Sequence, residues 1–413
     1  MIKTLENGVR IVFEKNEHIR SCAVGIWVGN GSRYEDEKVN GVSHFIEHMM
    51  FKGTHTREAL EIANEMDLIG GGVNAFTTKE CTCYYVKTLD IHLDKATDIL
   101  TDMFFNSKFD KKDMDLERTV IEEEISMYED QPEDVCFERL LESVHSDSSL
   151  GRPILGTKET LSNINSEEIK KFISSNYLAK NTVISVSGSF DDKIIDKLTE
   201  IFSKMQNNGE LCLVPAIYKK SYIMIDRDIE QNHISIGFDG LSMVDKNRYA
   251  LQILNSIFGS GMSSRLFQKV REENGLCYTI SSFNSAHLDC GVYTIYVALS
   301  KNTEQKALDL IKEVTVNLLQ NGITDDELNR GREQIKTNIL MGLESTSSRM
   351  NFLARSLLFH EKILSADEII SRYDSVTKED IMVLARKILD FKTASICVVG
   401  DTSNQEIYNK FLS

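Results

Sequence analysis

The chain has 413 residues, of which 41% are hydrophobic, 27% are charged and only three are proline. This composition is typical of globular proteins and excludes a disordered or collagen-like chain. The length predicts two large domains, with up to four small ones as the alternative. The formal charge of -16 disfavours nucleic acid as a partner, because the field of an acidic protein repels phosphate groups.

Membrane and secretion signals are not evident in the sequence. The best apolar run, residues 22–28, has the length of a strand and falls far short of the roughly 18 to 20 residues of a spanning helix. The first ten residues contain no apolar segment typical of a secretory signal. The eight cysteines are scattered, without the two close pairs of a structural zinc site, and we expect them to be reduced. We therefore expect a cytoplasmic protein without a membrane partner.

Strand and helix patterns follow one another in a definite order in the first half. Alternating apolar residues predict strands, and apolar residues spaced three and four apart predict helices. A further segment of helix length separates the second strand from the third. The predicted elements are strands at 9–13, 22–28, 82–86 and 182–188 and helices at 92–105 and 109–128.

The same order returns in the second half. It comprises strands at 221–225, 233–238, 291–297 and 393–400 and helices at 303–319 and 323–343. A repeat of this length predicts a duplicated α+β fold. We predict two homologous domains, each a mainly antiparallel β-sheet flanked by α-helices, at 1–208 and 220–413, with a linker at 209–219.

The sharpest local pattern lies at residues 44–48, where His44 and His48 are four apart and Glu47 is beside them. On a helix, residues four apart share a face, so both imidazoles can reach one metal ion. Imidazole nitrogen suits zinc, and a nearby carboxylate that does not bind the metal can act as general base. Two surface histidines placed by chance are the alternative, but the inverted HxxEH order is typical of zinc hydrolases.

A catalytic zinc requires a third protein ligand, which we expect from the acidic helix at 115–126. Glu117 and Glu124 are seven apart and therefore lie on one stripe, so one can bind the metal while the other supports a histidine. Glu122 and Glu123 fit a solvated face better. The residues alone leave the choice between Glu117 and Glu124 open.

With its inverted motif, acidic helix and duplication, the whole chain resembles the pitrilysin family of zinc peptidases. The likeness is greatest to short bacterial processing peptidases and to the β subunit of mitochondrial processing peptidase. Glu124 follows His48 by 76 residues, the spacing of the ligand glutamate in that family. The resemblance implies that Glu124 is the third ligand, that Glu117 supports the site and that Glu47 is the catalytic base. It also implies one zinc per chain, because the second half has no such motif.

Two further segments resemble parts of that family that bind substrate. Residues 70–77 look like its edge strand, and Asn74, Ala75 and Phe76 are the positions implied to bind an extended peptide. A glycine-rich turn before a strand is the alternative for this segment.

Arg271 and Tyr278, seven apart, look like the family's arginine and tyrosine. The resemblance implies that the guanidinium of Arg271 grips a substrate carbonyl and that the phenol of Tyr278 stabilises an oxyanion. A salt-bridged helix arginine and a half-buried strand tyrosine are the alternative.

The resemblance also implies an assembly. Larger members of the family close four such domains around the substrate, so a chain of two domains implies a homodimer, with the second half acting as a wall and substrate clamp. We therefore expect a zinc metalloendopeptidase that hydrolyses extended or unfolded peptides or leader sequences inside a closed chamber. A non-catalytic scaffold or partner subunit of the same fold is one alternative, and a zinc hydrolase with a small substrate is another.

Overall fold

The computed structural model describes residues 1–207 and 209–412. Asn208 and Ser413, which the predicted domain bounds include, lie outside the described residues. The chain forms two compact units, and each is made of three separate stretches of sequence. The first unit comprises Met1–Ser126, Arg152–Val214 and Met341–Ile363, and the second comprises Met127–Gly151, Pro215–Leu340 and Leu364–Ser413.

The helices and strands are numbered in chain order. The strands are β1 (Ile2–Thr4), β2 (Arg10–Lys15), β3 (Ser21–Val28), β4 (Gly72–Thr77), β5 (Thr82–Leu89), β6 (Thr182–Gly188), β7 (Tyr222–Asp226), β8 (Gln231–Asp239), β9 (Cys277–Ala286), β10 (Gly291–Ser300) and β11 (Ser395–Gly400). The helices are α1 (Val42–Met49), α2 (Ala59–Leu68), α3 (Leu93–Asn106), α4 (Lys111–Glu129), α5 (Pro132–Val144), α6 (Lys158–Ser162), α7 (Ser166–Asn176), α8 (Lys193–Phe202), α9 (Arg248–Phe258), α10 (Glu304–Asn321), α11 (Asp325–Gly342), α12 (Thr346–His360), α13 (Ala366–Ser375), α14 (Lys378–Ile388) and α15 (Gln405–Phe411).

Each unit is built on one sheet, and the two sheets have the same topology. The first has the order β1-β2-β6-β3-β5-β4, in which only β2 and β6 are parallel. The second has the order β7-β11-β8-β10-β9, in which only β7 and β11 are parallel. Apart from β1, every strand of the first sheet has a counterpart at the same place in the second. The predicted α+β fold with mainly antiparallel sheets is confirmed.

The first sheet is covered on both faces. Side chains alternate along β3, and Val24 and Ile26 face the main core of the first unit. Gly25 faces the other way, onto α12, where a Cβ atom would lie 2.8 Å from Sδ of Met350. Ser185 of β6 also donates a 2.9 Å hydrogen bond to the carbonyl of Met350. The second face is therefore packed closely against a helix that lies within the second repeat in sequence.

The second sheet has the equivalent arrangement with α5. Ile396 and Val398 of β11 belong to the main core of the second unit, whereas Cys397 and Val399 pack with Leu140 of α5. Strands buried on both faces are expected to be apolar throughout. This accounts for the continuous apolar run in β3 and β11, which a strand with one solvated face would not show.

Two helices belong to a different unit from the domain in which the sequence placed them. The sequence placed residues 1–208 and 220–413 in separate domains, but α5 belongs to the second unit and α12 to the first. The apolar pattern of a helix shows that one face is buried and does not specify which sheet it covers. No helix within the described residues is long and apolar enough to cross a membrane.

Removal of α12 should expose a sheet face and prevent the first unit from folding. We expect residues 1–214 alone to bind a hydrophobic dye and to lose the cooperative thermal transition, because several core side chains would become exposed at about 25 cal/mol per Å² of apolar surface. A matched version with residues 341–363 attached through a flexible linker should unfold cooperatively. Calorimetry on both proteins measures this, and equal cooperativity would show that α12 is dispensable.

Candidate metal centre

Helix α1 brings the two motif histidines together. Its apolar residues Val42, Phe45 and Met49 lie in the core of the first unit, which leaves positions 44, 47 and 48 on the opposite side. The ring centroids of His44 and His48 are 4.5 Å apart. The local sequence therefore folds as an amphipathic helix whose polar side holds the complete motif.

A buried carboxylate fixes the start of α1. Glu35 accepts hydrogen bonds from the backbone N–H groups of Gly41 (2.7 Å) and Ser43 (2.8 Å) and from the side-chain amide of Asn40 (2.8 Å). Gly41 has a φ of 96°, a conformation that favours glycine. Burial raises the pKa of the Glu35 carboxyl, while the donated hydrogen bonds favour its ionised form. Glu35 thus pairs N–H groups at the helix start that have no partner within α1.

The third group of the centre comes from α4. Oε2 of Glu124 lies 3.6 Å from Nε2 of His44 and 3.5 Å from Nε2 of His48. In the part of the chain that the structure describes, this is the only set of three His, Cys, Asp or Glu side chains with ligand atoms within 4.8 Å of one another. A tetrahedral zinc with bonds of about 2.1 Å separates its ligand atoms by about 3.4 Å. Two nitrogens and one oxygen at these distances fit a zinc ion.

Glu117, which like Glu124 lies on α4, contacts His48 on α1. Its Oε1 lies 2.8 Å from Nδ1 of His48, and its Oε2 lies 2.6 Å from Nζ of Lys52. A carboxylate can only accept hydrogen bonds, so a neutral His48 carries its hydrogen on Nδ1 and keeps the Nε2 lone pair for a metal. This contact separates the two glutamates that the sequence left open, because Glu117 is engaged with His48 and Lys52 while Glu124 faces both Nε2 atoms.

The two imidazoles have pKa values shifted in opposite directions. Burial and the positive charge of His48 lower the pKa of His44 to about 4. Burial also opposes protonation of His48, but the carboxylates of Glu117 and Glu124 outweigh it and raise the His48 pKa to about 9. The hydrogen bond from His48 lowers the pKa of Glu124. A metal ion at this site must therefore displace the proton of His48.

Glu47 lies beside the metal group without belonging to it. Its Oε2 accepts a 2.6 Å hydrogen bond from Oγ1 of Thr77, the last residue of β4. Burial raises the pKa of the Glu47 carboxyl, and the bond from Thr77 opposes this change. A carboxyl group with a raised pKa, held in place but outside the ligand set, is suited to accept and return a proton.

The segment predicted to bind substrate forms an edge strand. Gly70 adopts a positive φ in the preceding turn, and β4 then pairs with β5 alone, within the described residues. Asn74 is exposed, Ala75 is nearly buried, and the ring of Phe76 packs edge-on against Trp27 at 5.3 Å. Within the described residues the outer edge of β4 therefore has no strand partner, although the N–H of Ala75 donates a 2.8 Å hydrogen bond to Oδ1 of Asn74, and the last residue of β4 contacts Glu47.

Arg271 and Tyr278 lie together in the second unit. The Arg271 guanidinium lies 4.7 Å from the centroid of the Tyr278 ring and 4.6 Å from that of Phe267. Arg271 falls in a π-helical turn at Phe267–Glu272, a type of turn that is frequent at functional sites. Tyr278 is 77% exposed, so it is not the half-buried strand tyrosine of the alternative interpretation. The salt-bridged arginine of that alternative is present, since Nε of Arg271 lies 3.6 Å from Oε1 of Glu272.

Comparison with known proteins identifies the family. A family model described as Insulinase (Peptidase family M16) matches residues 10–158, and one described as Peptidase M16 inactive domain matches residues 163–335. The uncharacterized zinc protease YmxG of Bacillus subtilis is 42% identical over 406 residues, which cover 97% of this chain and 99% of that relative. The chain belongs to peptidase family M16. The resemblance to pitrilysin-family zinc peptidases that the sequence indicated is thereby confirmed.

Other relatives of this M16 chain agree. An uncharacterized zinc protease of Rickettsia felis is 36% identical over 402 residues, covering 96% of this chain and 97% of that relative. The crystal structure of a protease from Helicobacter pylori matches with a TM-score of 0.89 at 22% identity, over 97% of this chain and 99% of that one. A peptidase M16 inactive domain from Pseudomonas fluorescens matches with a TM-score of 0.90 at 17% identity, over 97% and 98%. The two solved structures support the fold alone.

Three residues at the site were missed in the sequence. Glu35, Lys52 and Thr77 contact the motif helix, its supporting glutamate and Glu47 respectively. Lys52 lies in the turn after α1, so helical spacing does not indicate its contact. Thr77 lies in the predicted edge segment, but its bond to Glu47, like the contacts of Glu35, depends on how distant segments fold back onto α1.

His48→Ala should remove zinc from the protein, because the change deletes one of three converging ligand atoms. We expect zinc per chain, measured by mass spectrometry after dialysis, to fall from near one to near zero. Glu117→Gln should weaken zinc affinity by about 10- to 100-fold, since it disturbs a group that orients a ligand. The exposed His55 offers the matched control, and His55→Ala should keep its zinc. Unchanged zinc content in His48→Ala would overturn the ligand assignment.

Glu35→Gln should destabilise the start of α1. Its amide nitrogen cannot accept the N–H groups of Gly41 and Ser43, so one buried donor stays unpaired and the free energy of unfolding falls by about 1 to 3 kcal/mol. Chemical denaturation measures this change. The neighbouring Glu37 is exposed, and Glu37→Gln should leave stability within about 0.5 kcal/mol. If the two variants were equally stable, the capping role of Glu35 would be wrong.

Proposed function

We propose that this M16 chain is a zinc metalloendopeptidase that hydrolyses extended or unfolded peptides or leader sequences inside a closed chamber. The observation that carries the proposal is the convergence of His44, His48 and Glu124 beside a carboxyl group, Glu47, outside the ligand set. The zinc protease names of its relatives support the same class of activity.

In the proposal, His44, His48 and Glu124 hold one zinc per chain. When bound, the ion supplies a Lewis acid that polarises a carbonyl and lowers the pKa of water toward about 7. Glu117 keeps Nε2 of His48 directed at the metal position through the bond to Nδ1. Lys52 pairs with the other oxygen of that carboxylate, Oε2, so Glu117 stays ionised in a largely buried place.

Glu47 is the proposed proton carrier. Its carboxylate takes a proton from the attacking water and returns it to the nitrogen of the leaving amine, so the carboxyl group ends in its starting state. The hydrogen bond from Thr77 holds one oxygen, Oε2, and leaves Oε1 for this exchange. The raised pKa that burial gives Glu47 brings its proton affinity nearer to that of the groups it serves.

The edge of β4 is the proposed docking place for substrate. A peptide in extended conformation can add to this edge through backbone hydrogen bonds, with Asn74, Ala75 and Phe76 closest to it. Backbone pairing discriminates little among side chains, which supports a broad range of extended peptides. Because the edge ends at Thr77, a peptide that pairs with β4 is led toward Glu47.

The second unit is proposed as the substrate clamp. There Arg271 can donate to a substrate carbonyl and Tyr278 can donate to a developing oxyanion, and the exposure of Tyr278 supports this role. We further propose that two chains form a homodimer that encloses the substrate, and whether this pair serves its own chain or its partner stays open. Processing of leader sequences and a cytoplasmic location belong to the same proposal.

Glu47→Gln should keep zinc and lose activity. The amide retains the shape and the bond from Thr77 but cannot accept a proton, so we expect kcat on a random peptide library to fall by at least about 10²-fold. Zinc content should stay near one per chain. Glu123, an exposed glutamate next to the ligand Glu124, is the matched control, and Glu123→Gln should retain activity.

The outcome separates the enzyme from its alternatives. Cleavage by the parent protein that survives in Glu47→Gln would falsify the assignment of the base. Absence of cleavage in every variant, with zinc bound, would favour a non-catalytic scaffold of the same fold.

A further inference from the structure

A cavity of about 790 Å³ lies in the second unit between α9 and α11. Because the two sheets share one topology, α9 has the place of α1, α11 that of α4 and the edge strand β9 that of β4. The cavity therefore occupies the position that holds the metal centre in the first unit. Its volume lies in the range typical of small-molecule sites.

The residues of α9 on the cavity repeat the spacing of the metal motif. Gln252, Asn255 and Ser256 are three and four residues apart in the same order as the two histidines and the glutamate of α1. An amide, an amide and a hydroxyl thus replace two metal ligands and a general base. None of the three groups is ionisable at neutral pH.

The residues of α11 show the same replacement. Glu117 and Glu124 are the seventh and fourteenth residues of α4, and Gly331 and Asn338 are the seventh and fourteenth residues of α11. Asn338 lines the cavity. The second unit therefore has no carboxylate at either position.

A hydroxyl group of the edge strand bonds to the neighbouring helix in both units, from different positions of the strand. In the first unit, Thr77 donates to Glu47 at 2.6 Å, and in the second, Ser282 of β9, whose register position matches Ala75, donates to Oδ1 of Asn255 at 2.7 Å. Tyr293 in turn donates to Ser282 at 2.8 Å. These hydroxyls fix the amide of Asn255 with its oxygen as acceptor and its NH₂ group as a remaining donor.

The other amides of the cavity are oriented in the same way. The hydroxyl of Tyr373 donates to the amide oxygen of Gln252, and that of Ser256 donates to the amide oxygen of Gln334 at 2.7 Å. Since both oxygens are engaged, both NH₂ groups remain as donors. The cavity thus has three oriented amide donors, one from each of Gln252, Asn255 and Gln334.

One arginine and one glutamate line the cavity. Arg330 lines it, and its guanidinium forms no ion pair with any residue that the structure describes. Glu333 also lines it and forms an ion pair at 3.0 Å with Lys336, a lysine that also pairs with Asp374 at 2.8 Å. Donors from amides combined with an unpaired guanidinium match the oxygens of a carboxylate, which accepts several hydrogen bonds at once.

We propose that this cavity is a carboxylate-binding site, which takes the C-terminal carboxylate of a peptide or a free small carboxylate. The second unit keeps the strand order and the helix order of the first but has neutral groups at the positions of the candidate metal ligands. The site is independent of peptide hydrolysis, since none of its residues belongs to the proposed catalytic set.

The test compares two forms of one short peptide that differ only at the C-terminus. N-acetyl-Gly-Ala-Ala with a free carboxylate and the same peptide as C-terminal amide are titrated into the zinc-loaded full chain by calorimetry, and mass spectrometry verifies that both stay intact. We expect the free acid to bind at least about tenfold more tightly than the amide, because a charged hydrogen-bonded pair is lost in the amide.

Two variants locate the site. Arg330→Gln removes the charge, and Gln334→Glu keeps the acceptor for Ser256 while removing a donor, so each should weaken binding of the acid at least about tenfold. Arg386, exposed on α14 and outside the cavity, is the matched control, and Arg386→Gln should bind like the parent.

The outcomes are decisive in both directions. Competition by acetate at a similar concentration supports the site with a free carboxylate as ligand, and preference for the peptide acid supports it with a peptide terminus. Equal binding of acid and amide, or binding unaffected by both Arg330→Gln and Gln334→Glu, overturns the proposal.

Discussion

The hydrogen bond between His48 and Glu117 is the interaction on which the rest of the centre depends. It joins α1 to α4 at 2.8 Å, and these helices are separated by more than sixty residues of sequence. By fixing Nδ1, it turns Nε2 toward the point that Glu124 also faces. Without this bond, the spacing of the two histidines on α1 would place both imidazoles on one side of the helix but would not fix the orientation of the His48 ring. One carboxylate of α4 therefore orients the site so that the other can complete it.

The sheet makes this geometry rigid. Helix α1 is fixed at its start by Glu35 and along its length by apolar residues in the core, while β4 reaches it through Thr77. The opposite face of the same sheet is closed by α12, which packs directly against Gly25. A strand packed on both faces has little freedom to shift, so the distance between the β4 edge and Glu47 is set by the fold. This is what a site that must align an extended peptide requires.

The sequence predicted what is local or repeated and missed what depends on distant packing. The order of strands and helices, the duplication and the convergence of His44 and His48 follow from spacing alone. The residues left Glu117 and Glu124 undecided, because their difference lies in which atoms each one faces. The placement of α5 and α12 could not be foreseen, since an amphipathic pattern specifies a buried face without its partner. Glu35 was missed for the same reason, as its partners become neighbours only after folding.

Comparison of α1 with α9 distinguishes the residues that the fold requires from those that metal binding requires. Ile253 and Leu254 of α9 are fully buried in the core of the second unit, as Phe45 and Ile46 of α1 are in the first. The polar side of each helix is free of that constraint and can change without loss of the core. Where Glu117 would stand, Gly331 leaves no carboxylate, so a histidine on α9 would have no group to orient it. Metal binding thus requires several residues to be present together, whereas the surrounding fold requires none of them. A duplicated unit can therefore lack the candidate metal ligands in one copy while keeping the core, the edge strand and a hydroxyl bond from that strand to the helix.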